Sequence, residues 1–325
     1  MPIAASSPRN LARFQSLIAL FLLCLALSIL SDKFLTFSNL WNVMRQISVN
    51  ICISVGMTLI VLTAGIDLSV GSVLALCGAI TAGLLKNGIE ILTQNLYIGF
   101  TVLGAILAGG LTGSALGAFN GWAITRFNVP PFVATLAMLT VARGLTMLWT
   151  GGFPISGLGE TFLFIGTGWF LGIPVPVWIS IVVVALAVFL TDKTRIGRYI
   201  YAIGGNESAS RLSGINVNRV KIIVYTIAGA LAAVGGIMVT SRLDSAQPNA
   251  GISYELDSIA AVVIGGTSLS GGRGSILGTV QGAIIIGVLN NGLVLLNVSP
   301  FWQQVVKGLV ILLAVIIDKS NGKGE

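Results

Sequence analysis

Histidine is absent from all 325 residues, which excludes imidazole as a general base, a metal ligand or a pH switch. Charge is scarce as well: Asp, Glu, Lys and Arg together make up 9% of the chain, where a soluble domain carries about 25%. A chain of this length with so little charge cannot cover its own surface for water, so it reads as a polytopic membrane protein. The three cysteines, Cys24, Cys52 and Cys77, lie in apolar runs without ligand-like spacing. They read as small packing residues, with no disulfide framework or metal site among them. No G-x-x-x-x-G-K-[ST] occurs, so the chain has no P-loop of its own for ATP. Catalytic residues, cofactors and metals are not expected.

What is present is apolar: 55% hydrophobic residues and a mean hydropathy of +0.95, with 41 glycines set inside apolar segments. Glycine in such a setting suits close helix–helix packing in lipid. The expected fold is all-α, a single transmembrane domain over 1–325 with about ten membrane helices, some broken or re-entrant. The expected spans are Phe14–Leu30, Ile47–Ala64, Leu68–Leu85, Leu96–Asn120, Pro131–Trp149, Val177–Leu190, Val220–Ser241, Leu256–Ile264, Ser275–Leu296 and Phe301–Ile317. The eighth is the shortest and reads as a re-entrant candidate. Ala26-Leu27-Ser28 is a weak signal-peptidase pattern, but the run it ends is long enough to serve as a first membrane helix.

Lysine and arginine set the orientation. With the N-terminus inside, Arg9, Arg13, Arg126, Lys193, Arg195, Arg198, Arg211, Arg219, Lys221, Arg273, Lys319 and Lys323 fall on the cytosolic side. Lys33, Lys86 and Arg242 fall outside, and Thr150–Pro176 carries no basic residue. The net charge of +7 is therefore a topology signal and does not point to nucleic acid. Both termini are expected in the cytosol.

Two features carry function. Residues 192–221 form a basic, glycine-punctuated island, read as a cytosolic loop. Within it Asn206 can cap a short helix opening with Glu207, and Gly214 can end it in a left-handed conformation. Glu207 and Arg211 stand at i and i+4, acid before base. Leu212 and Ile215 give the element an apolar face. Such a segment is either an ordinary solvated loop or a dock for a soluble partner. The second feature is an echo: Gly65-Ile66-Asp67-Leu68-Ser69-Val70-Gly71 and Gly266-Thr267-Ser268-Leu269-Ser270-Gly271-Gly272 share G-x-x-L-S-x-G, each at an interruption between apolar helices. Paired broken helices point to a transport pathway, and chance among many small residues is the alternative.

Ionisable residues in or beside spans must pair, face a cavity or reach an interface. Asp67 either caps the helix that follows it or meets substrate, Arg143 packs or pairs within the bundle, and Lys307 lines the interior. The polar residues Asn50, Thr58, Thr63, Ser69, Ser72, Asn120, Thr135, Thr140, Gln281, Asn290 and Asn291 can hydrogen-bond a neutral solute or join helices. The pathway candidates among the polar and glycine positions are Asn50, Asp67, Ser69, Gly71, Gly266, Ser270, Gly271 and Asn290.

Four stretches, Gly56–Leu76, Thr194–Tyr225, Ser245–Thr279 and Asn290–Asp318, resemble the permease subunits of bacterial ribose ABC importers. GIDLSVGS and YELDSIAAVVIGGTSL are characteristic of the wider carbohydrate-permease family. The resemblance implies a multi-pass protein of the bacterial inner membrane that imports ribose or a similar monosaccharide without chemistry on the sugar. It implies two permease copies forming the pathway, a periplasmic sugar-binding protein that delivers substrate, and an ATPase with two fused nucleotide-binding domains. It makes Asn206, Glu207, Ala209, Arg211, Leu212 and Gly214 an EAA-like element that plugs into the ATPase. The island departs from the stricter EAA pattern, with Ser208 in place of the first alanine and the glycine one position late. A secondary transporter or facilitative channel is the alternative from another class, weakened by the lack of several intramembrane acids. A membrane scaffold without transport is disfavoured by the paired breaks.

Overall fold

A computed structural model of the chain describes residues 8–91 and 96–321. The described residues are predominantly helical. The helices are α1 (Pro8–Leu30), α2 (Phe37–Leu62), α3 (Val70–Lys86), α4 (Val102–Phe127), α5 (Pro131–Thr150), α6 (Glu160–Thr167), α7 (Val175–Lys193), α8 (Arg195–Gly205), α9 (Glu207–Leu212), α10 (Val217–Leu243), α11 (Tyr254–Ile264), α12 (Ile276–Leu295) and α13 (Pro300–Asn321). Short antiparallel pairs decorate the connections: β1 (Ile89–Ile91) with β2 (Leu96–Ile98), β3 (Ile155–Ser156) with β6 (Ser245–Ala246), and β4 (Trp169–Phe170) with β5 (Ile173–Pro174).

Each expected span coincides with a helix, and among the described residues six are long and apolar enough to cross a membrane: α2, α4, α5, α7, α10 and α12. Length and composition thus support six of the about ten spanning helices expected. Helix α11 has 11 residues, about 16 Å at 1.5 Å per residue, roughly half of a hydrocarbon core about 30 Å thick. Helix α3 has 17 residues and is almost wholly buried. The Thr150–Pro176 stretch, read as loop, contains α6 and the β4–β5 hairpin.

Helices α2 and α10 occupy the centre, while α4, α5 and α7 keep most of their surface on the outside of the bundle. Glycine spacing explains the tightest contact. Gly109, Gly113, Gly117 and Gly121 recur every fourth residue along one buried stripe of α4. A Cβ on Gly113 would overlap the Gly229 carbonyl oxygen, and one on Gly117 would overlap that of Tyr225, so α4 and α10 meet backbone to backbone. With apolar lipid on the outside, this close van der Waals contact is what holds such helices together. Thr58 and Thr279 add a hydroxyl–hydroxyl hydrogen bond of 2.7 Å between α2 and α12.

Candidate functional site: a capped surface helix and interrupted membrane helices

The basic island folds as two consecutive helices. Thr194 accepts from the Gly197 amide at 3.2 Å and starts α8, which turns Ile200 and Ile203 inward and leaves Arg195, Arg198 and Tyr199 outside. The Asn206 side chain accepts from the Ala209 amide at 2.9 Å and starts α9. Gly214 has φ +83°, and the Gly214 and Ile215 amides close the end on the carbonyls of Arg211 and Ser210, both at 3.1 Å. These are the bonds of a left-handed helix stop.

Glu207 pairs with Arg211 at 3.2 Å and also with Lys221, on the first turns of α10, at 2.6 Å. Burial pushes the Glu207 carboxyl up, but hydrogen bonds and charge from Lys221 and then Arg211 outweigh it, so its pKa lies below the ordinary carboxylate value. The expected shared apolar face of Leu212 and Ile215 does not form. Ile215 packs on the core, whereas Leu212 is 90% exposed at the tip of the island. Among the candidate coupling residues Asn206, Ala209, Arg211 and Gly214 are exposed too, and Glu207 is half-buried.

The two interruptions have the same local chemistry. Helix α2 stops with Ala64 at φ +58°, and the Gly65 amide reaches back to the Ile60 carbonyl at 3.1 Å. Helix α11 stops with Gly266 at φ +78°, and the Thr267 amide reaches back to Val262 at 3.1 Å. After each stop comes a side-chain turn. Asp67 Oδ1 accepts from the Ser69 amide at 2.7 Å and hydroxyl at 2.6 Å, and Ser268 Oγ accepts from the Ser270 amide at 3.3 Å. Asn120 on α4 donates to the Ser69 hydroxyl at 3.1 Å. Asp67 is thus satisfied locally just before α3.

The breaks differ in their ends: Gly71 lies in the first turn of α3, whereas Gly271 is left-handed at φ +86°. They also touch. The Gly272 amide donates to the Leu62 carbonyl at 3.1 Å, and a Cβ on Gly271 would come within 2.9 Å of the Ala64 Cβ and amide nitrogen. The C-terminal end of α8 fills the same junction, because a Cβ on Gly204 would overlap both the Leu62 carbonyl oxygen and the Gly272 amide. Tyr201 Oη adds a hydrogen bond to the Gly274 carbonyl at 3.1 Å.

Of the other pathway candidates, Asn50 is buried midway along α2, away from both breaks, and Asn290 sits on α12. Asn290 donates at 3.4 Å to Asp257 on α11, and Lys307 on α13 pairs with the same Asp257 oxygen at 2.9 Å. Sequence reading placed Lys307 in the interior but missed Asp257, which lay inside a block read as an apolar span.

Upstream of α11 the chain is non-helical and turns on itself, the Ala250 amide donating to the Gln247 carbonyl at 3.0 Å. From β6 it runs through Gln247, Pro248 and Asn249 to Gly251 and enters α11 with Ser253 left-handed at φ +68°. Arg143 on α5 holds this stretch by donating to the Pro248 carbonyl at 2.6 Å and the Ala250 carbonyl at 2.9 Å. Gly71 faces Gly251 so closely that a Cβ on either would overlap the other's carbonyl oxygen. Non-helical backbone at membrane depth survives only where protein buries it or water lines it. Interrupted helices, a charged residue pinning bare carbonyls and a capped helix outside the apolar bundle together describe a multi-pass membrane transport protein.

The comparisons with known proteins agree. The chain belongs to the family described as the permease component of the branched-chain amino acid transport system, whose model matches residues 39–315. It is 50% identical over 318 residues to the ribose import permease protein RbsC of Haemophilus influenzae, covering 97% of this chain and 95% of the relative. It is 52% identical over 311 residues to the ribose import permease protein RbsC of Escherichia coli K12, covering 94% of each. The D-allose transport system permease protein AlsC of the same strain is 39% identical over 296 residues, 91% of this chain and 88% of the relative. No solved structure matches the chain.

Proposed function

We propose that this chain is the membrane-spanning permease subunit of an ATP-driven importer for ribose or a similar monosaccharide. Two copies form the pathway in the bacterial inner membrane, a periplasmic binding protein delivers the sugar, and a separate ATPase with two fused nucleotide-binding domains supplies the energy. The family description names amino acids, so the sugar assignment rests on relatives that match nearly end to end at about half identity. About ten crossings follow if α1, α3 and α13 join the six long helices and the non-helical stretch after β6 combines with α11 into one more. Both termini then lie in the cytosol, with the basic island.

The observation that carries the mechanism is the junction of Gly204 with Leu62 and Gly272. Helix α9 offers the exposed Leu212 to an apolar groove of the ATPase. Helix α8 is continuous with that dock, and its glycine end rests on both helix breaks. Closure of the ATPases moves α8 and α9 together, and the backbone contact passes the movement to the interruptions. The sugar crosses without covalent change.

The test is uptake of labelled ribose by liposomes containing permease, ATPase and binding protein, with xylose and galactose as competitors. Uptake is expected only with ATP inside the ATPase compartment. Uptake driven by an ion gradient in the absence of ATP contradicts the reading.

A further inference from the structure

We propose that Arg143, Glu255 and the non-helical stretch Gln247–Gly251 form a sugar-binding station inside the pathway, one that takes a neutral polyhydroxylated solute. The inference rests on the transport reading and adds a site to it.

Depth comes first. Helices α3 and α5 are locked by the Trp149 indole N–H, which donates to the Ala79 carbonyl at 2.9 Å. Gly71 lies about 12 Å further down α3 than Ala79, and Arg143 about 9 Å further down α5 than Trp149. Arg143 stands seven residues from the end of α5, itself long and apolar enough to cross a membrane, so the Pro248 and Ala250 carbonyls that it holds lie beside the interior of that span.

Polarity comes next. Gln247 and Asn249 are exposed on this stretch, and Arg143 and Glu255 are only partly buried. The Glu255 carboxylate lies over Gly71, at 2.6 Å from where a Cβ would stand, so it faces the N-terminal ends of both α3 and its own helix α11. The Gln247 and Asn249 amides on this non-helical stretch, with the Arg143 guanidinium of α5 and the Glu255 carboxylate of α11 beside them, cannot face lipid. They face the aqueous route between two copies.

The chemistry then selects the ligand. Arg143 uses one nitrogen on the Pro248 and Ala250 carbonyls, and it stands near Glu255 without an ion pair between them among the described residues. A guanidinium offers donors and a carboxylate offers only acceptors. Hydroxyl groups, each both donor and acceptor, satisfy the two together, with Gln247 and Asn249 as amide partners. A net ionic solute leaves one of the two charges opposed. Ser253 in a left-handed conformation holds Glu255 at this place, a backbone cost of the kind that gathers at ligand sites.

The direct test is saturation-transfer NMR with ribose on the solubilised permease–ATPase complex without the binding protein. Transfer to ribose is expected in the native complex and is expected to fall about tenfold or more in Glu255→Gln and Asn249→Ala, the loss of hydrogen bonds to a hydroxylated ligand. ATPase co-purification reports that the variants are folded, and Asn249→Ala leaves the Arg143 clamp intact. No transfer in the native complex, or undiminished transfer in both variants, overturns the station. ATP-dependent uptake by the native proteoliposomes in either case leaves the transport reading standing, so the two failures are separable.

Discussion

Gly204 and Leu62 meet backbone to backbone: the last turn of α8 lies against the carbonyl that ends α2, with no room for a β-carbon between them. The same Leu62 carbonyl accepts the Gly272 amide of the second break. Three segments distant in sequence thus share one contact, and one of them continues directly into the exposed helix α9. An outside push on α9 has a short, stiff route to both interruptions.

Replacing Leu212 with Asp is expected to leave the permease folded and in the membrane while abolishing ATPase co-purification and ATP-dependent uptake. Leu212 is 90% exposed and makes no contribution to the core, so its loss cannot act through the fold. An unpaired charge entering an apolar groove is costly. Glu207→Ala with Arg211→Ala removes an exposed pair worth about 0.2–0.5 kcal/mol to an isolated helix. A large loss of docking in that double variant reports lost partner contacts and a Lys221 without its carboxylate partner. Retained docking in both variants makes α9 a solvated loop.

Gly71→Leu and Gly271→Leu are each expected to cut sugar uptake severely while the ATPase still associates. At Gly71 any side chain drives into the Gly251 carbonyl and the Glu255 carboxylate, forcing the non-helical stretch before α11 out of place. At Gly271 the backbone is left-handed at φ +86°, a conformation that a branched side chain disfavours. Uptake assays beside co-purification read the two effects separately, and normal uptake in both variants reduces the breaks to ordinary loops.

Much of this was legible in the sequence. The Asn206 cap, the Glu207–Arg211 pair and the Gly214 stop depend on residues a few positions apart, and local chemistry alone determines them. The apolar runs located the long helices for the same reason. Helix α8 was not legible, because Gly197 and Gly204 look like loop punctuation until their contacts with Thr191 and Leu62 are seen. The Lys221–Glu207 bond spans a turn, and the Arg143 clamp joins α5 to a stretch far along the chain. Contacts of that kind leave no periodic trace. Asp257 was hidden by its apolar neighbours, although a charge inside an apolar run was the available signal.

Lys307→Met alone is expected to lower stability by about 3–5 kcal/mol, since it strands the buried Asp257 carboxylate without its charged partner. The further change Asp257→Asn is expected to recover most of that loss, because no buried charge then remains. Thermal unfolding of the purified permease in detergent, taken as a double-variant cycle, measures the coupling. Equal stability of Lys307→Met and the native protein contradicts a structural ion pair between α11 and α13.

The decisive measurement is ATP hydrolysis and sugar uptake together in liposomes carrying the Gly204→Ala permease with its ATPase and binding protein. Gly204 lies outside α9, so the dock survives, while the added methyl group pries α8 from Leu62 and Gly272. Hydrolysis that continues with uptake lost, in a complex that still co-purifies, is the expected result. Uptake at the native rate per ATP hydrolysed contradicts the route from α9 through α8 to the helix breaks.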